Sequence, residues 1–187
     1  MIYMSNNQEL LNALTITLPS LYLIYNYNNN IILLLLSSLI HLPFSFIYHL
    51  LVIHDNYGDK IDNNLRRLDQ SFQHISIIIF SYAISKSILF LLFNIIFNFY
   101  SIYLIWNKKT SNDMKRWQNI CLNGILYKTY LLYDQKYYLY VYTIFIYLLC
   151  GFPFIPNINI LYFNGYGHAL SHVLLILYAD ALIKCTS

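Results

Sequence analysis

Residues 31–53 read IILLLLSSLIHLPFSFIYHLLVI and contain no Asp, Glu, Lys or Arg. A helix crosses the hydrocarbon core with about 20 mostly apolar residues, so this stretch can span a bilayer, and it decides the fold class. The rest of the chain agrees: 58% of its residues are hydrophobic and only 10% charged. That balance lies outside the range of soluble domains, whose cores could not hide so much apolar surface. The expectation is an all-α, multi-pass integral membrane protein.

Working outward, six further segments read as spans, at 10–27, 68–85, 88–106, 117–133, 137–155 and 161–183. Together they give one seven-span helical bundle over residues 1–187, with no repeat, linker or second domain. Pro19 interrupts the first segment and Lys128 lies inside the fifth, while GFPFIP at 151–156 closes the sixth with a glycine and prolines, residues that stop helices. A tight turn at Lys86 separates the third from the fourth. The opening MIYMSNNQEL carries no basic region of the kind that precedes a cleavable signal, so the first segment is expected to stay as a span.

Charge and cysteine usage exclude other classes. Basic residues exceed acidic ones by three, but they are scattered over connecting loops and form no nucleic-acid footprint. Cys121, Cys150 and Cys185 are far apart and show no CxxC spacing, so neither a disulfide framework nor a cysteine metal knuckle is implied. Cytoplasmic loops retain Lys and Arg. One side holds Lys60, Arg66, Arg67, Lys108, Lys109, Lys115 and Arg116, against Lys86, Lys128, Lys136 and Lys184 on the other, which favours a cytoplasmic N-terminus.

Ionisable side chains are costly in hydrocarbon and mark candidate sites. His168 and His172 stand four residues apart in HALSH, as do Ser45 and His49 in SFIYH, so each pair shares one helix face. Asp69 opens the third span in LDQS. Four crossings separate the start of span three from the start of span seven, and an even number returns the chain to the same side. With about 1.5 Å of rise per residue, His49 lies roughly 6 Å and His168 roughly 10 Å inside their helix ends. Ser45, His49, Asp69, His168 and His172 therefore converge on one half of the bilayer. Three histidines are the ligand set of a catalytic zinc that keeps a fourth position for water, and zinc makes such water acidic enough to supply hydroxide near neutral pH. Asp69 is the candidate acid/base, and Ser45 a candidate donor to the water or to the substrate carbonyl.

The blocks SFIYH at 45–49, LDQS at 68–71 and HALSH at 168–172 resemble, in order and spacing, those of the hemolysin III and progestin/adipoQ receptor families. These belong to a superfamily of seven-span metal-dependent hydrolases that also holds alkaline ceramidases and GPI-lipid remodelling enzymes. The resemblance implies Zn2+ on His49, His168 and His172, with Asp69 and Ser45 around the water. It also implies hydrolysis of an amide or ester acyl bond in a membrane lipid, ceramide-like or phospholipid. It covers spans two, three and seven. A glutamate motif ahead of the first span in receptor-type members has no counterpart, and Glu9 stands alone.

Each residue also has a plainer reading. The histidine pair can pack helices, His49 can snorkel, Asp69 can complement a helix N-terminus, and Ser45 can serve as small interhelical glue. His41, His54 and His74 are read as structural and Asp180 as interfacial. Ser45 with His49 makes a poor nucleophile and base, because an i, i+4 pair in a straight helix aligns badly and no nucleophile elbow is present. The alternative function is a non-enzymatic seven-span receptor or membrane-permeabilising protein with a structural zinc.

Overall fold

The computed structural model describes residues 6–54, 63–107 and 113–186. Lys60, Lys108 and Lys109, on which the charge argument partly rests, lie outside these residues, as does the side chain of His54. The fold is all-helical, without a strand among the described residues. Helices run α1 (Asn6–Thr15), α2 (Leu18–Tyr25), α3 (Ile32–His54), α4 (Asn64–Ser85), α5 (Ile88–Trp106), α6 (Asp113–Leu126), α7 (Tyr130–Tyr133), α8 (Tyr137–Gly151), α9 (Pro156–Phe163) and α10 (Gly167–Thr186).

Among the described residues, four stretches are long and apolar enough to cross a membrane: Asn29–Val52, Ile88–Trp106, Tyr137–Phe154 and Gly167–Thr186. They make the chain an integral membrane protein by the same criterion that opened the sequence reading. The other three expected spans differ in instructive ways. Segment 10–27 is two helices, because Pro19 has no N–H to give and its ring crowds the carbonyl four residues back. There the Thr15 and Thr17 hydroxyls turn onto the carbonyls of Leu11 and Leu14, each at 2.7 Å. Segment 117–133 breaks between α6 and α7, around Lys128. The third, α4, is continuous but carries Arg66, Arg67, Asp69, Gln70, Gln73 and His74 in its first half, too many polar groups for a hydrocarbon-facing helix.

The faces of α5 show how this bundle meets its surroundings. Leu89, Leu92, Phe93, Ile96 and Phe99 are exposed, whereas Asn94, Asn98 and Ser101 are buried. Lipid offers no reward for hiding leucine, so apolar residues can face outward while polar ones hydrogen-bond inside. Asn98 accepts from His74 Nδ1 at 2.8 Å, and Asn123 of α6 donates to Ser101 at 3.0 Å. Tyr127, Tyr147 and Tyr178 surround Lys128, their ring centroids 4.0–5.0 Å from its Nζ. Its Nζ donates to the Gly124 carbonyl, so a fully buried lysine finds its partner at the break in its own segment. Opposed rings and a backbone carbonyl do here what an acid would do elsewhere.

Two turns set the ends of the helices that matter below. Asn63 caps α4, accepting from Arg66 N at 2.8 Å, and Lys86 closes it in the left-handed region with φ 51°, the expected tight turn. Between α9 and α10, Asn164 and Gly165 have φ of 49° and 87°. Gly167 N then donates to Asn159 Oδ1 at 2.7 Å. The last long helix thus starts at Gly167, not at 161, and His168 belongs to its first turn.

Candidate metal centre

His49, His168 and His172 come together in the structure. One ligand nitrogen from each lies within 4.8 Å of the others, and all three side chains are buried. The ring centroids of His168 and His172 stand 4.6 Å apart, and His49 is 4.8 Å from His168 and 5.9 Å from His172. Phe154, from the turn after α8, closes over His168 edge-on at 4.6 Å. Gly167 sits against the Pro153 carbonyl and the Asn159 side chain with no room for a Cβ. Glycine at this position therefore lets α10 begin close enough to bring His168 into the group.

The first helix supplies what the sequence did not reveal. Glu9 is 2% exposed, and its Oε2 accepts from His49 Nδ1 at 2.8 Å. Asn12 Nδ2 donates to the same oxygen at 3.3 Å. The Nδ1 of His172 lies 3.2 Å from both the Asn12 carbonyl and the Thr15 hydroxyl. With that hydroxyl donating to the Leu11 carbonyl, both oxygens are acceptors and His172 Nδ1 is the donor. In His49 and His172 the proton is thereby fixed on Nδ1, leaving Nε2 as the lone pair, the arrangement by which outer partners orient metal-ligating histidines. Glu9, read from the sequence as standing alone, is part of the centre. The i, i+3, i+6 spacing of Glu9, Asn12 and Thr15 was the available signal: three polar residues on one side of an apolar segment, over nearly two turns.

Asp69 and Ser45 are also placed at the centre. Ser45 hydrogen-bonds to the Asp69 carboxylate, with His49 and His172 in electrostatic reach of it. Because α4 begins at Asn64, Asp69 sits in the second turn and not at the first, where the helix dipole is strongest. Its partner is instead His41, whose Nε2 lies 2.9 Å from Asp69 Oδ1. His41 is thus part of the site and not merely structural. His74 stays outside it, against α5.

The same helices border a cavity of about 120 Å3. Ile16, Leu23, Leu42, Phe80 and Leu175 give it apolar walls, and His41 belongs to its lining. On three elements the wall begins within one turn of a site residue: Ile16 after Thr15, Leu42 before Ser45, Leu175 after His172.

Comparison with known protein families, curated proteins and solved structures finds no match for this chain.

Proposed function

We propose that the chain is a zinc-dependent intramembrane hydrolase that cleaves an amide or ester acyl bond of a membrane lipid, ceramide-like or phospholipid. The observation that carries this reading is the buried histidine trio, two of whose rings hold Nδ1 on Glu9, Asn12 and Thr15 and so keep the lone pair on Nε2. His168 adds a buried Nδ1 with no hydrogen-bond partner, a cost of about 1–3 kcal/mol that a ligand would relieve. With Zn–N distances of about 2.0–2.1 Å, one ion among nitrogens within 4.8 Å needs each to move by no more than about 1 Å. The donor set therefore fits zinc, held by His49, His168 and His172.

Zinc held there supplies Lewis acidity and a source of hydroxide near neutral pH. The remaining work belongs to the chain. Asp69 accepts the proton of the attacking water and, as acid/base, gives it up again as the acyl bond breaks. Ser45, on the same carboxylate, fixes which oxygen faces the water. Burial excludes bulk water, so the charges in the site act at low dielectric. An alkyl chain of the lipid takes the apolar cavity, whose wall begins within one turn of Thr15, Ser45 and His172.

The same reading places the chain in seven crossings, with α1 and α2 forming the first and α6 and α7 the fifth, and the N-terminus on the cytoplasmic side. A second reading, a structural zinc in a receptor or membrane-permeabilising protein, draws on the tie the trio makes between α3 and α10 through α1. Asp69→Asn separates the two. Purified wild-type protein should carry about one zinc per chain and release fatty acid from a panel of ceramides and phospholipids, losing this on chelation. The variant should keep zinc and lose turnover by about 100-fold or more. A variant as active as wild type removes the acid/base role, and zinc-free wild-type protein of full stability removes the metal centre.

A further inference from the structure

Resting on the hydrolase reading, a second proton transfer has to be assigned. Breaking an amide or alkyl ester needs a proton on the departing nitrogen or oxygen as well as one taken from water. Asp69 can do the second, but it is not among the described residues that line the cavity. His41 is. Its Nε2 is 2.9 Å from Asp69 Oδ1, and its side chain is 17% exposed against 11% for Asp69. The imidazole therefore meets the carboxylate through Nε2 and belongs to the cavity wall. Tyr178 is the other titratable group of that wall, and its hydroxyl is paired with that of Tyr127.

We propose that His41 and Asp69 form a proton-relay dyad in which His41 is the catalytic acid toward the leaving group. The pair begins as imidazolium and carboxylate. As the oxygen of water bonds to the acyl carbon, Asp69 takes one proton from it. As the acyl C–N or C–O bond breaks, His41 gives one proton to the departing heteroatom. The proton on Asp69 then returns to the imidazole and restores the pair. Charge and protons balance at every stage, and no redox partner is needed. Position 41 lies about two turns from His49 on α3, and His41 is not one of the three grouped histidines.

The test compares leaving groups. Zinc-loaded full-length protein is assayed on an N-alkyl fatty amide and on the p-nitrophenyl ester of the same fatty acid, because p-nitrophenolate departs without a proton. His41→Gln keeps an N–H donor for Asp69 but cannot deliver a proton. It should lose about 100-fold or more on the amide and less than about tenfold on the aryl ester, with zinc content unchanged. Equal losses on both substrates would reduce His41 to a support for Asp69, and no loss on either would remove it from the reaction. Wild-type protein inactive on both substrates overturns the hydrolase reading and the dyad with it. Should His41→Gln fail to load zinc, the wild-type chain decides through a series of aryl esters. Rates nearly independent of leaving-group pKa support the acid, and a steep fall with rising pKa overturns it.

Discussion

Removing Glu9 tests whether the first helix tunes the metal centre. Glu9 Oε2 accepts from His49 Nδ1 at 2.8 Å and also takes a bond from Asn12, all within a region that is 2% exposed at Glu9. Glu9→Ala leaves His49 Nδ1 without its acceptor, so the ring is free to rotate or to change tautomer, and the lone pair at Nε2 is no longer enforced. Loss of such an outer partner costs about 10–100-fold in metal affinity, or about 1.4–2.8 kcal/mol. Glu9→Gln keeps an oxygen acceptor and loses only the charge, so it should fall at the mild end, about tenfold or less. The assay is competition for zinc between the detergent-solubilised chain and a chromophoric chelator, with His49→Ala as the reference for loss of a ligand. The order of affinities expected is wild type, then Glu9→Gln, Glu9→Ala and His49→Ala. If Glu9→Ala binds zinc as tightly as wild type while His49→Ala does not, the carboxylate has no part in orienting the ring, and the argument from α1 fails.

Gly167→Ala should lower thermal stability and weaken zinc binding together, because a Cβ there meets the Pro153 carbonyl and Asn159; overpacking of this kind costs about 1–3 kcal/mol and moves His168. A stable variant with normal zinc affinity would show that α10 does not need its close approach. His74→Ala should keep its zinc, since His74 bonds to Asn98 and not to the trio; metal analysis of the purified variant is the check. Lys128→Ala should destabilise more than Lys128→Met in thermal unfolding, because methionine fills the space among the three tyrosine rings and alanine leaves a cavity costing about 2–5 kcal/mol. The reverse order would mean that the ammonium, not the volume, holds α6 and α7 in place.

Membrane class was readable from the 31–53 run alone, because the length of an apolar segment is a local property. The histidine trio was readable too, since i, i+4 spacing fixes a shared face and the order of the segments decides which ends can meet. Helix breaks were harder. Pro19 and Lys128 were visible as interruptions, but an apolar window does not reveal that the backbone parts at Thr15 or that tyrosines from α8 and α10 close around a lysine. The start of α10 was misplaced by six residues because the left-handed conformations of Asn164 and Gly165, pinned by Asn159, leave no mark on hydropathy.

What the sequence by itself determined is therefore which side chains were available and on which helix faces: His49 with Ser45, His168 with His172, and Asp69 within a polar turn. What only the tertiary structure decided is what each of them touches. Glu9 and His49 are 40 residues apart, and His172 lies 157 residues from Thr15 and 160 from Asn12. Such contacts follow from the packing of α1 against α3 and α10, and no local periodicity encodes them. The same is true of His41, which reads as one polar residue in an apolar helix until α4 brings Asp69 to its ring. A hydrogen bond spans about 3 Å, so partners are chosen by how helices pack, whereas periodicity only says which way each helix faces.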